Sequence, residues 1–246
     1  MMMMRRVYLM MAMPLALTVV AACDTSTSPV DPPDVTITVD FSNGAQDWVA
    51  DFTDYEAAQE ATYQFEAGIE TLPEPLDGSK KGYMLTSVNH SDDLFQYIRR
   101  QVTGLEPDAQ YDIRFQVQLA TSAPRGCVGA GGAPGDSVWL KAGASADEPV
   151  PVETDGDVRL SVDKGEQAED GGAALVLGTI ANSSEDCDDA PWELKDFDSA
   201  PDVLRAATDS AGRLWLFAGT ESGFEARTRV YVTTVKVELT KVASGS

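Results

Sequence analysis

Residues 102–119 read Val-Thr-Gly-Leu-Glu-Pro-Asp-Ala-Gln-Tyr-Asp-Ile-Arg-Phe-Gln-Val-Gln-Leu. From Tyr111 onward the alternation is strict: Tyr111, Ile113, Phe115, Val117 and Leu119 share one face, and Asp112, Arg114, Gln116 and Gln118 the other. A side-chain period of two with one apolar face is a half-buried strand. Gly104 and Pro107 end the strand before it, and Leu105, Pro107 and Tyr111 stand at the spacing of a tyrosine corner, whose phenol closes a loop onto upstream backbone. The element belongs in a β-sandwich.

The rest of the chain agrees. Val35, Ile37, Val39 and Phe41 alternate with polar residues, and Asn43-Gly44 turns the chain towards Trp48 and Phe52. Further strands are expected at 62–69, 82–88, 94–102, 137–143, 158–163, 173–180, 192–197, 213–219 and 229–240, and only residues 54–61 read as a short helix. Many strands separated by turn residues indicate an all-β sandwich or barrel.

The chain has 246 residues, a formal charge of -22 and one histidine. That length can bury a sizeable core in one large domain or two small ones. So acidic a surface repels phosphate backbones, which makes nucleic acid a poor partner; its plainest role is solubility.

Arg5-Arg6, an apolar run from Val7 to Val20, and Ala21-Ala22-Cys23 follow the order of an export signal, too short for a comfortable membrane span. Val20-Ala21-Ala22-Cys23 resembles the bacterial lipobox. That resemblance implies a signal peptide over 1–22, acylation of Cys23 as the mature N-terminus, and a lipid anchor holding the protein outside the cytoplasm in the cell envelope. The rival is ordinary cleavage that leaves a soluble periplasmic protein. Asp24 resembles an inner-membrane retention signal, a rule that does not carry to all bacteria, so the choice of membrane stays open. Residues 23–34 are then the lipidated cysteine and a Thr/Ser/Pro/Asp tether, 35–242 the folded domain and 243–246 a tail.

Setting Cys23 aside leaves Cys127 and Cys187, which an oxidising compartment would join as a disulfide. Gly126 to Asp136 is glycine-rich, but it lacks the endings of phosphate-binding loops and reads as a pliable loop pinned by Cys127.

Fibronectin- or immunoglobulin-like domains use about 100 residues each, and no second Gly-Leu-x-Pro-x-x-x-Tyr appears. One large jelly roll fits better, with the fibronectin/immunoglobulin-like sandwich as the alternative. The stretches Phe41-Ser42-Asn43-Gly44 to Trp48, Val102 to Leu119 and Tyr231 to Leu239 resemble the galactose-binding-like jelly rolls found as carbohydrate-binding modules. The resemblance covers residues 36 to 241, on motifs generic to the architecture.

Candidate site residues follow from chemical density. Asn89-His90-Ser91-Asp92-Asp93 groups the one imidazole with an amide, a hydroxyl and two carboxylates between strands, suited to hydrogen-bonding a sugar or to calcium at Asp92 and Asp93. The plain alternative is a polar turn bonded to its own backbone. The acidic loop 185–189 is a second place for calcium, or simply solvated. Trp48 and Trp192 lie near turns and are candidates to stack on a sugar ring, though core is the commoner role; Trp215 lies in an all-apolar run and reads as core. No nucleophile motif accompanies His90, and among 40 acids no carboxylate pair stands out. The expected function is therefore a non-catalytic module binding a glycan or another envelope component. A structural or protein-interaction envelope protein comes second, and a carbohydrate-active enzyme third.

Overall fold

The computed structural model describes residues 34–243. The expected signal segment 1–22, Cys23, the expected tether up to residue 33 and residues 244–246 lie outside the described residues.

Fifteen strands are present: β1 Val35–Asp40, β2 Val49–Thr53, β3 Tyr55–Glu56, β4 Glu66–Thr71, β5 Lys81–Val88, β6 Leu94–Val102, β7 Gln110–Thr121, β8 Val138–Ser145, β9 Pro151–Thr154, β10 Asp157–Leu160, β11 Ala174–Thr179, β12 Glu193–Asp198, β13 Leu204–Ala207, β14 Leu214–Ser222 and β15 Arg227–Lys241. One sheet has the order β12-β7-β15-β5-β4, with β13 also on β7 and β1 also on β15; the other has the order β11-β8-β14-β6-β2. From β5 to β8 the chain alternates between the sheets, β11 pairs back onto β8, and β5-β15-β7-β12 faces β6-β14-β8-β11. Two antiparallel four-stranded sheets wound in this way are a jelly roll. The strand order sets aside the fibronectin/immunoglobulin-like alternative.

The core lies between the sheets. Ile113, Phe115, Val117 and Leu119 of β7 are all buried, and they pack with Leu140, Ala142, Leu214, Leu216, Val235 and Val237. The tyrosine corner is formed: the Glu106 N–H donates to the Tyr111 hydroxyl at 3.2 Å. Cys127 and Cys187 are joined, with Cα atoms 5.7 Å apart, which ties the β7–β8 loop to the β11–β12 loop.

The short helix expected at 54–61 forms only in part, from Ala57 onward and as a 3-10 helix. Asp54 has a φ of +68° and turns the chain sharply. Tyr55 and Glu56 then pair with β10, and a 3-10 helix follows at Ala57–Tyr63. At Tyr55 and Glu56 the expected helix gave way to this strand pairing, as tertiary context commonly overrides propensity.

The segment 146–173, between β8 and β11, lies over the outer face of the five-stranded sheet as a strap. Its β9 and β10 join β3 in a small third sheet. Leu160 and Val162 of the strap cover Phe95, Tyr97 and Phe217. The approach is close: a Cβ at Gly143 would collide with the Phe217 ring and the Ala173 carbonyl.

Candidate functional site

A cavity of about 220 Å³ opens at the rim where β2, the β5–β6 loop and β10 meet, and its walls include Asp54, Tyr63, His90, Asp93, Asp157 and Arg159. Each wall has a local cause. The β5–β6 loop is pinned by Asn89, which is 1 % exposed; its amide nitrogen donates to the carbonyls of Ser222 at 2.6 Å and Phe224 at 3.2 Å. Its carbonyl oxygen accepts the Ser91 N–H at 3.0 Å, the turn chemistry of an Asx residue. The Ser91 hydroxyl donates in turn to the Asp54 carbonyl at 2.8 Å, which fastens the loop to the end of β2.

His90 is exposed and sets its ring edge-on to Tyr63, with centroids 5.4 Å apart at 62°. Behind them Tyr55 stacks on Phe52 at 4.4 Å, and with Tyr63, Leu94 and Val158 they form a separate apolar cluster under the rim. The aromatic wall therefore stands on packed residues rather than on a free loop.

Arg159 forms the other wall. Its Nη1 lies 2.6 Å from Asp93 Oδ2 and 3.2 Å from Asp54 Oδ1, so one guanidinium bridges two carboxylates. Burial pulls the Arg159 guanidinium down, but hydrogen bonds to Asp93 and Asp54 outweigh it and hold it above its ordinary value. Burial raises the Asp93 carboxyl, and the contact with Arg159 partly offsets this. Burial, helped by Glu60 and Asp51, pushes the Tyr55 phenol up to about 12, so at neutral pH it remains a donor. The cavity thus offers fixed donors and acceptors beside planar rings. It is smaller than the roughly 300–1,000 Å³ of drug-sized ligand pockets and suits one small polar unit.

Of the residues singled out from sequence, His90 and Asp93 line this cavity, and Asn89 lies behind it as a structural pin. Asp92, with a φ of +70°, turns the other way. Its carbonyl accepts from Gln167 at 3.0 Å, and a Cβ placed on Gly223 would lie 3.5 Å from its Oδ1 and 3.4 Å from Trp139 Cζ3. For the calcium expected at Asp92 and Asp93, Asp93 is already paired with Arg159, and the Asp92 side chain lies beside Gly223 instead. Among the described residues no group of three or more His, Cys, Asp or Glu side chains is placed to hold a metal, the loop 185–189 included.

Trp48 is also corrected: it is 2 % exposed in the main core, edge-on to Phe41. Trp192 is half-buried against Tyr231, Leu72 and Met84 on the outer face of the seven-stranded sheet, away from the rim loop. Trp215, expected in the core, is half-buried between fully buried Leu214 and Leu216.

Tyr55, Tyr63, Gln59, Asp157 and Arg159 line the cavity without having been singled out. The reading of residues 54–61 as a short helix carried no signal for a site there. A second, larger concavity of about 450 Å³ lies on the outer face of the seven-stranded sheet. There Gln116 and Gln118 already bond to Asp198 and Asp196, and no ring stands beside them except that of Phe197, which leaves the rim cavity the better candidate.

No family model matches the chain, and no curated protein matches it by sequence. Among solved structures, a carbohydrate-binding module of the β-sandwich superfamily is 10 % identical with a TM-score of 0.38; the match covers 83 % of this chain, which spans 60 % of that one. A module from Caldicellulosiruptor saccharolyticus in complex with mannohexaose is 12 % identical, with 82 % and 96 % of the two chains covered and a TM-score of 0.36. A module in complex with beta-1,4-galactotriose is 9 % identical, with 82 % and 94 % covered and a TM-score of 0.34. These likenesses are remote, and the fold assignment rests on strand order alone.

Proposed function

We propose that this protein is a non-catalytic glycan-binding module of the bacterial cell envelope, anchored through lipid on Cys23, with the rim cavity as its binding site. The observation that carries the reading is the composition of that cavity: the rings of His90 and Tyr63 flank it, and Arg159, Asp93, Asp54 and Gln59 supply fixed polar groups. A sugar ring has an apolar face and a girdle of hydroxyls, which such a pairing of planar rings with charged and amide groups complements. Sugars bound by the modules of similar fold are consistent with this choice of ligand. The lipobox supports the anchor, since several acyl chains on one cysteine hold a protein stably where a single chain does not.

The test joins a glycan array to fractionation. The protein should retain a defined set of glycans, and His90→Ala, an exposed change, should weaken binding about tenfold, the effect of losing roughly 1.4 kcal/mol of contact. Wild-type binding by both His90→Ala and Asp157→Asn would overturn the site. Membrane fractions should hold the wild type, and Cys23→Ala should release it or block its processing; a native protein recovered wholly soluble would overturn the anchor.

A further inference from the structure

Beneath the strap lies a charged cluster that shares Asp54, Asp93 and Arg159 with the rim cavity and adds Lys141, Lys164 and Glu221, which the proposed binding role does not use. Lys141 and Glu221 are fully buried, Asp54 is 5 % exposed and Lys164 7 %. Lys164 Nζ lies 2.6 Å from Glu221 Oε1 and 3.4 Å from Asp54 Oδ2, Lys141 Nζ lies 2.7 Å from Glu221 Oε2, and Arg159 joins Asp54 to Asp93. Lys164 Nζ also lies 5.5 Å from the centre of the Phe95 ring. Lys141, Lys164, Glu221 and Asp54 thus meet in a place largely closed to water, with the half-exposed Arg159 and Asp93 at its edge, and each buried ion loses hydration that mutual attraction only partly restores.

We propose that Lys164 and Asp54 are joined by an intramolecular amide bond. Lys164 is the nucleophile, Asp54 the acceptor and Glu221 the base. The Lys164 ammonium passes a proton to Glu221, and the free Nζ attacks Asp54 Cγ, forming the C–N bond. One C–O bond of Asp54 then breaks, and that oxygen leaves as water carrying two of the three ammonium protons, one of them relayed by Glu221. The third stays on the amide nitrogen, Glu221 returns to its starting ionisation, and no other reactant is consumed.

The surroundings match these roles. Glu221 touches the attacking amine through Oε1, and its Oε2 is held by Lys141 at 2.7 Å, which fixes the carboxylate in place beside Lys164. The Asp54 carboxyl accepts from Arg159 Nη1 at 3.2 Å and from the Thr53 hydroxyl at 2.9 Å, two fixed donors where negative charge develops during attack. Condensation removes one positive and one negative charge. What remains is two matched pairs, Lys141 with Glu221 and Arg159 with Asp93, so the product is electrostatically simpler than the ion cluster it replaces.

The test is peptide mapping of the full chain by mass spectrometry after reduction of the disulfide. The peptides carrying Asp54 and Lys164 should be recovered as one branched species, lighter than their sum by one water, roughly 18 Da, as an amide condensation requires. Lys164→Arg and Glu221→Gln should each return both segments as linear peptides. Linear peptides carrying unmodified Asp54 and Lys164 from the folded wild type would overturn the bond, and a Glu221→Gln protein branched to the wild-type yield would overturn the role of Glu221. The wild-type map stands by itself even where a variant fails to fold.

Discussion

Cutting the Cys127–Cys187 bridge has a calculable cost. The cysteines are 60 residues apart in sequence. Closing a loop of that size removes about 14 cal/mol/K from the unfolded chain in the chain-entropy treatment, or about 4 kcal/mol at 25 °C. A domain of roughly 210 residues unfolds with about 440 cal/mol/K near its midpoint, so the loss should lower Tm by about 10 °C. The native structure should change little, because the Arg125 N–H still donates to the Ser184 carbonyl at 2.9 Å and Arg125 still faces Glu185. The assay is a thermal melt with and without reductant, beside a Cys127→Ser, Cys187→Ser double variant that should melt low in both. A shift on reduction below about 2 °C would refute the reasoning, since the entropy term would then be absent. An equal shift in the double variant, or thiol labelling of both cysteines in the untreated protein, would refute it as well.

Tyr111→Phe should destabilise by about 1–2 kcal/mol, because it leaves the Glu106 N–H without its acceptor, and Tm should fall by about 2–4 °C; an unchanged melt would mean that the corner adds nothing. The Asp163 carboxyl is held below its ordinary value by the N–H groups of Gly172 and Gly165, which it accepts at 2.8 and 3.0 Å inside the strap. Its contribution is therefore present above the unfolded value and lost as pH falls through the lower folded value. The Tm advantage of wild type over Asp163→Asn should be full at about pH 5 and close towards about pH 2; a gap independent of pH would refute the linkage.

Much of the fold was legible because a half-buried strand repeats every two residues. β6 was read to the residue at 94–102, and β7 from its alternation after Tyr111. β9 and β13 escaped notice, being four residues long and, in β9, opened by Pro151. The site was legible only in part. His90 and Asp93 stood out because they fall within one loop, whereas Tyr55 and Tyr63 come from one segment and Arg159 from another, and only the folded chain brings them to the same cavity. Lys141 and Glu221 were invisible for another reason. Alternation puts them on the outward face of their strands, and outward charge reads as solvated; they are buried because the strap crosses over them.

β15 runs fifteen residues from Arg227 to Lys241, roughly 45–50 Å of strand at about 3.3 Å per residue. Its first residue pairs with Val88, next to the rim loop, and near its far end Leu239 pairs with Val35, where β1 begins. Cavity and point of entry therefore occupy opposite poles of one rod. The Val35 end of β15 and the rim lie a full strand length apart. A change at the Val35 end then acts on the rim only through the length of β15, so substitutions there test the fold without touching the cavity.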